Sequence, residues 1–422
     1  MKSRTSSHRS TRTVRLLPAA LIAVLACFAV SAVAGTLEDV AARGVLRVGT
    51  PGDYRPYTDH DADSGAWRGA DIELARALAA RLAVSVEFVP TTWARLQEDA
   101  TAGRFDIAVG GISITPDRRK IAFFSVPHAT DGKTALARCA ALDAFDTLRE
   151  LNRAGTRVVV NPGGTNEAFA RRRLPRSTLA VHRDNLTVFD EIIAGRADAM
   201  ITDAVEARLQ AAMHPGVLCA AHPDRPFDRS DKALLLPRDA AFKTAVDRWL
   251  GPLVRRGDVR DAQRRWLSAP WAAAPDILAL IDARLAVMSD VARYKWNTGG
   301  AIEDPARERE LLATLVREGL SRGVPAERTE AFFTAQFAAA RQLQHDLFDL
   351  WRAQQREKLP SAPDLQRQIR PALDALSARM VAVLASTDLR EQARAARQGP
   401  LSEQLLSPKA VQLALAPLSA LE

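Results

Sequence analysis

The sequence predicts a multidomain protein in which an α/β region is followed by an all-helical one. Three observations lead there. A chain of 422 residues is long for one hydrophobic core, so two or three domains are expected. From Leu37 to about Leu267, short apolar runs bounded by turn residues alternate with helical stripes, which implies largely parallel sheets covered by helices. Beyond "SAPWAAAP", Ser268 to Pro275, only helical periodicity remains.

The first element, residues 1–34, reads as a secretory signal. Lys2, Arg4, Arg9, Arg12 and Arg15 form its basic region, Leu16 to Val30 its apolar run, and Ala32-Val33-Ala34 a small-residue cleavage site. The apolar run is short for a membrane span, and no later segment reaches that length. Leu25 and Phe28 fit a lipoprotein pattern around Cys27 poorly. The expectation is a periplasmic protein with no membrane association after cleavage. Removing the five basic residues takes the formal charge of +8 to +3, too mild to indicate nucleic acid. Arg171-Arg172-Arg173 with Arg176 reads as a solvated helix end. Two cysteines remain, Cys139 and Cys219. An oxidising compartment favours a disulfide between them, two separate buried thiols being the alternative. The seven histidines form no H-E-x-x-H pattern, and C-x-x-C and G-x-x-x-x-G-K are absent. No metal or cofactor is therefore expected, small molecules are the expected partners, and a homo-oligomer is compatible with the sequence.

Residues 37–268 form the α/β region. "GVLRVGT", "VSVEFVP", "RFDIAVGG", "TRVVVNPGG" and "ADAMITD" are its strands, and "ADIELARALAARL" aligns Leu74, Leu78 and Leu82 on one helical face. Polar clusters follow three strands: Gly110 to Arg118, Asn161 to Glu167, and Thr202-Asp203. Ligands of open α/β sheets sit beyond strand C-termini, so these clusters converge on one crevice. In "NPGGTNEAFA" the helix start favours an anion, yet Glu167 lies in its first turn. Such a carboxylate either caps its own helix or acts on what binds.

"GVLRVGTPGDYRPYT", "ADIELARALAARL" and "FDIAVGGISITPDRRKIAFFSVPH" resemble the polar amino-acid class of periplasmic solute-binding proteins. The resemblance implies two α/β lobes joined by two crossings. It also implies that Arg118 grips a ligand carboxylate, helped by Ser113 and the N–H groups around Gly111. One family acid is displaced: Thr50-Pro51-Gly52 stands near its place, with Asp53 beside Tyr54, while Asp203 matches the other amine-holding acid. "NPGGTNEAFARRRL", "DNLTVFDEIIAGRADAMITDAVEARLQ", "HPGVLCAAHPDRPFD" and "KALLLPRD" are similar to the periplasmic cyclohexadienyl dehydratases, enzymes on this fold that act on prephenate and arogenate. That likeness implies Glu167 as general acid, with Asn161, Thr165 and Asn166 orienting the substrate. A raised pKa suits the role. The helix start and nearby Arg118 lower it, while desolvation and a dianionic substrate raise it.

Residues 269–275 read as a linker and 276–422 as the helical domain. Arg284 and Lys295, eleven residues apart, fall about 20° from eclipsed on one helix. Arg307 follows Asp304-Pro305, an N-cap and N1 pair, and Gln344 shares a helix with Phe333, Phe337 and Leu347. "IDARLAVMSDVARYKWNTGGAIEDPARERE" resembles the secreted, gamma class of all-helical chorismate mutases, most clearly up to Ser386. The match implies Arg284, Arg307 and Arg370 on the substrate carboxylates, and Lys295 and Gln344 on the ether oxygen. Ala340 replaces a polar residue of some relatives, and Pro371 threatens a kink beside Arg370. Together these expectations describe an exported bifunctional enzyme, converting chorismate to prephenate and then prephenate to phenylpyruvate, or arogenate to phenylalanine. A solute-binding protein or sensor for an aromatic or amino acid, carrying a helical appendage, is the competing reading.

Overall fold

The computed structural model describes residues 36–421 except 62–64, 269–275, 361, 387–388 and 399. The signal segment with Cys27 and the linker 269–275 thus lie outside the described residues. In the first lobe, Val45–Thr50 pairs in parallel with Ser85–Pro90 and Ile107–Ala108, and Leu235–Leu236 and Phe123–Phe124 extend the sheet. In the second, Arg157–Val160 lies parallel to Thr178–Val181 and Ala199–Asp203. Lys133–Arg138 and Leu218–Ala220 are antiparallel there. Both sheets are therefore mixed, where strand–helix alternation alone implies largely parallel ones. The chain crosses between lobes at Ala129–Asp131 and Ser230–Lys232, which pair antiparallel. Each crossing delivers a strand against the direction of the βα units. A disulfide joins Cys139 to Cys219, Cα atoms 4.8 Å apart, beside that antiparallel pairing.

The matched helix Ala70–Leu82 buries Leu74 and Leu78 against the first sheet, with Val48, Ile107 and Leu236. Separate apolar clusters cover the two faces of the second sheet. Such burial is the main favourable term holding each lobe together.

Helices Asp276–Thr298, Pro305–Ser321, Ala326–Ala353 and Arg370–Leu384 share one core that includes Leu285, Phe333, Leu343, Leu347 and Met380. The Asp304 side chain accepts from Arg307 N at 3.1 Å, capping the helix that Pro305 starts. Pro371 does not break a helix. It sits in the first turn of Arg370–Leu384, after the π-helical turn Leu365–Ile369, where a missing N–H is tolerated.

The helical part docks on the first lobe. Trp351 Nε1 donates to Ala80 O at 3.2 Å, and the buried Arg293 donates through Nη1 to Gly44 O at 2.8 Å. A turn at 401–407 clasps both sides. Ser402 N and Oγ donate to Asp282 at 2.7 and 2.9 Å, Arg76 of the lobe pairs with Glu403 at 3.5 Å, and Leu405 N–H bonds the Glu73 carboxyl. Ser407 Oγ then bonds Asp346 on Ala326–Ala353.

Candidate active sites

The first crevice is walled by Tyr54, Trp93, Ser113, Arg118 and Lys232 on one side, and by Asn161, Thr165, Asn166, Asp203 and Glu206 on the other. Thr115 caps the short helix Pro116–Ile121 and so aims Arg118 inward, where Nη1 donates to Ser113 O at 2.9 Å. Burial pulls its pKa down to about 10, which leaves it charged at neutral pH. Gly111 also lines the pocket, in the left-handed region at φ +64. A Cβ there would lie 2.5 Å from the Tyr57 ring, so only glycine fits. Its N–H is not free for a ligand, however. The buried Asp71 accepts from Gly110 N at 2.9 Å and Gly111 N at 2.7 Å, and from His128 Nε2 at 2.9 Å.

Asp203 sits at the centre. Lys133 Nζ donates to it at 2.7 Å, Lys232 Nζ at 2.5 Å and Tyr54 Oη at 2.5 Å. Burial opposes its charge, but the two ammonium groups hold its carboxyl well below the usual carboxylate range. Lys133 also bonds Thr165 Oγ1 at 2.8 Å and Asn166 Oδ1, and Asn166 Nδ2 donates to Asn161 Oδ1 at 2.8 Å. The predicted polar residues therefore form one connected network. Lys133 and Lys232, which organise it, are not evident from the sequence motifs. The lobes meet tightly: Asn185 Nδ2 donates across the crevice to Asp53 O at 2.7 Å, and about 20 Å³ of free volume remains.

Glu167 is not among the residues lining this pocket, although Gly164, Thr165 and Asn166 beside it are. Its carboxylate accepts from Gly163 N at 2.7 Å and from Arg171 Nε and Nη2 at 2.9 and 2.6 Å. The Gly163 bond chiefly, with Arg171, holds its pKa below the ordinary value, against a small contribution from burial. It caps its own helix. Glu206 has the opposite character: 2% exposed, it lines the pocket and accepts from Thr202 Oγ1. Burial first, then the charge of Asp203, push it up to about 8. One signal for it was present: Asp203 and Glu206 are three apart at a helix start, so they share a face.

The second pocket lies within the helical core, with about 160 Å³ of free volume. It gathers Arg284, Lys295, Arg307, Gln344 and Arg370 on one wall-to-wall surface, with Ala340 among the lining residues. Burial brings Arg284 down to about 10, and its guanidinium lies 5.6 Å from the centroid of Phe337. Lys295 Nζ donates to Ile302 O at 2.8 Å. Burial lowers its pKa, opposed by Asp304 and Glu308. Gln344 Nε2 donates to Ala340 O at 2.9 Å, while Gln344 Oε1 and Arg284 Nε are buried without a protein partner. Arg307 and Arg370 are held by Glu310 and Gln366, each at 2.8 Å. Glu308, paired with Arg341, also lines the pocket, and neither was evident from spacing.

Two lobes closing on a cation-lined crevice define the class of protein. The chain belongs to the bacterial extracellular solute-binding proteins, family 3, whose family model matches residues 46–269. The model for chorismate mutase type II matches residues 275–345. Over 255 residues the chain is 44% identical to the cyclohexadienyl dehydratase of Pseudomonas aeruginosa, covering 60% of this chain and 94% of that one. Among solved structures, the ancestral amino acid-binding protein AncCDT-1, described as a precursor of cyclohexadienyl dehydratase, is 34% identical with a TM-score of 0.51. That match covers 56% of this chain and all of the other. The amino acid transporter substrate-binding protein AbpA of Streptococcus pneumoniae, bound to L-arginine, is 26% identical with a TM-score of 0.51, covering 55% and 97%.

Proposed function

We propose that this is a periplasmic bifunctional enzyme that rearranges chorismate to prephenate in the helical domain and converts prephenate to phenylpyruvate in the lobed domain. The domain boundaries 37–268 and 276–422 follow from the same reading. One observation carries the dehydratase: a buried acid, Glu206, raised to about 8, faces a pocket whose other lining carboxylate, Asp203, is matched by Lys133 and Lys232, which leaves Arg118 for a ligand. An amine-binding pocket needs a free carboxylate. Here that carboxylate is already occupied by two lysines, so the pocket suits a dianion instead. We assign the proton donor to Glu206 in place of Glu167. Its proton passes to the ring hydroxyl, the C–O bond breaks and water leaves. The C–C bond to the ring carboxylate then breaks, CO2 departs, and the freed electron pair completes the aromatic ring. Glu206 regains a proton from solvent. Arg118 and Ser113 orient one substrate carboxylate, with Asn161, Thr165 and Asn166 orienting the ring.

In the helical domain Arg284, Arg307 and Arg370 hold the compact conformer of chorismate by its carboxylates. Lys295 and the second N–H of Gln344 stabilise charge developing on the ether oxygen. No proton is transferred. The decisive experiment supplies the purified protein with chorismate and follows prephenate and phenylpyruvate by mass. Stoichiometric binding of an amino acid with no product would support a solute-binding protein instead.

A further inference from the structure

A third concave site lies at the seam between the first lobe and the helical domain, outside both catalytic pockets. It is a groove of about 630 Å³, next to the Trp351–Ala80 bond that pins the seam. Its apolar surface comes from Leu82, Trp249 and Leu253, all partly exposed, over the buried Leu78 and Val84. Four guanidinium groups rim it: Arg81, Arg248, Arg256 and Arg356. Arg256 is paired with Asp258 at 2.7 Å. Arg81 and Arg248 have no hydrogen-bond or ion-pair partner among the described residues, and the guanidinium of Arg356 reaches only Gln354, at 3.4 Å. Glu38, exposed, is the one acid lining the groove.

The charge pattern is unusual for a structural seam. Arg81 belongs to the lobe and Arg356 follows the helix Ala326–Ala353, so docking brings two like charges together. Burial, and then Arg356, lower the pKa of Arg81. Arg356 is exposed and Arg81 half-buried, so water screens part of their repulsion, and an anion between them would relieve the rest. An inorganic anion would satisfy the guanidinium groups but leave the leucine and tryptophan surface idle. A purely apolar ligand would leave the charges unanswered. An apolar body bearing one carboxylate satisfies both, because guanidinium matches carboxylate geometry and the floor removes the body from water.

We propose that the seam groove is a binding site for an amphipathic monocarboxylate, gripped by Arg81 and Arg356 with its apolar body over Leu82, Trp249 and Leu253. Phenylpyruvate, the product of the proposed dehydratase, belongs to this class, and so does a medium-chain fatty acid. The site itself stands on the groove; only phenylpyruvate as its source rests on the proposed function. Contacts on both domains make such a ligand a tether that stabilises the docked arrangement.

The test titrates the full chain with phenylpyruvate and, separately, with decanoate, by calorimetry. The same titrations follow on the double variant Arg81→Gln/Arg356→Gln and on Arg81→Lys. The double variant should weaken one binding event by about tenfold or more, with Arg81→Lys intermediate and chorismate conversion unchanged. Loss confined to decanoate assigns an aliphatic source, and loss confined to phenylpyruvate assigns the product. Wild-type and variant isotherms that coincide for both probes, or wild type that binds neither, overturn the site. Absence of dehydratase activity alongside variant-sensitive binding overturns the functional reading and leaves the site standing.

Discussion

Glu206 and Asp203, three residues apart at the start of one helix, hold opposite protonation states at neutral pH. The lysines on Asp203 keep it charged, and that charge together with burial keeps Glu206 neutral. Glu206→Gln should therefore lower prephenate turnover by about 10²-fold or more. Glu167→Gln loses only a helix cap and should change turnover far less. Because the protonated acid is the active form, wild-type activity should fall as pH rises through about 8. Kinetics on supplied prephenate decide it, and near-normal turnover in Glu206→Gln would return the role to another group.

The lysine pair on Asp203 sets a preference between two substrates that differ by an amine. Lys232→Met leaves Asp203 with one ammonium partner, creating a place for the substrate amine of arogenate. KM for prephenate should rise by about tenfold, and the ratio of kcat/KM for arogenate over prephenate should increase. An unchanged ratio would mean that Asp203 is not the discriminating group.

Lys295→Ala removes the cation opposite the breaking C–O bond of chorismate. A fixed donor at such a position contributes about 3 kcal/mol, so the mutase rate should drop by about 10²-fold. Prephenate supplied directly should still be consumed at the wild-type rate. If a folded Lys295→Ala protein lost both activities, a single shared site would have to replace the two-site reading.

The domain seam should respond to pH. Burial raises Glu73 and Glu403 to about 7, from an ordinary 4.5, and raises Asp282 as well. Arg265 and Trp266 face Glu73, Arg76 faces Glu403, and Ser402 bonds Asp282. Acids whose folded pKa is raised bind more protons in the folded state. Their contribution is full below the ordinary value and declines as pH climbs towards the folded one. Thermal stability should thus fall between about pH 5 and about pH 7, then level off. Glu403→Gln should flatten part of that slope; a slope identical to wild type would exclude Glu403 as a source of it.

The mutase pocket was legible because its chemistry lies on helices, where an eleven-residue spacing fixes a face. Arg284, Lys295, Arg307, Gln344 and Arg370 converge as spacing and resemblance together implied. The dehydratase pocket was only partly legible. Arg118, Asn161, Thr165, Asn166 and Asp203 converge, but Lys133 reaches Asp203 as its register partner across an antiparallel strand pair, and Lys232 from the end of the second crossing strand. No local pattern encodes that pairing. The Gly111 N–H is hidden from the sequence for a similar reason, since its partner Asp71 lies forty residues earlier. Glu167 and Glu206 occupy similar positions in similar helix starts. Only burial separates a cap from an acid.

The clasp at 401–407 makes the order of synthesis matter. Glu403 meets Arg76 across 327 residues of sequence, so the first lobe emerges from the ribosome long before its partner. Until the clasp arrives, Glu73 lacks the Leu405 N–H, and the lobe face that receives Trp351 stands open to water. A nonsense codon near position 400 would therefore injure the lobed domain as well as the helical one. Dividing the gene between the domains would yield two products with mismatched, sticky faces. Chemically separate reactions are here carried by one folding unit.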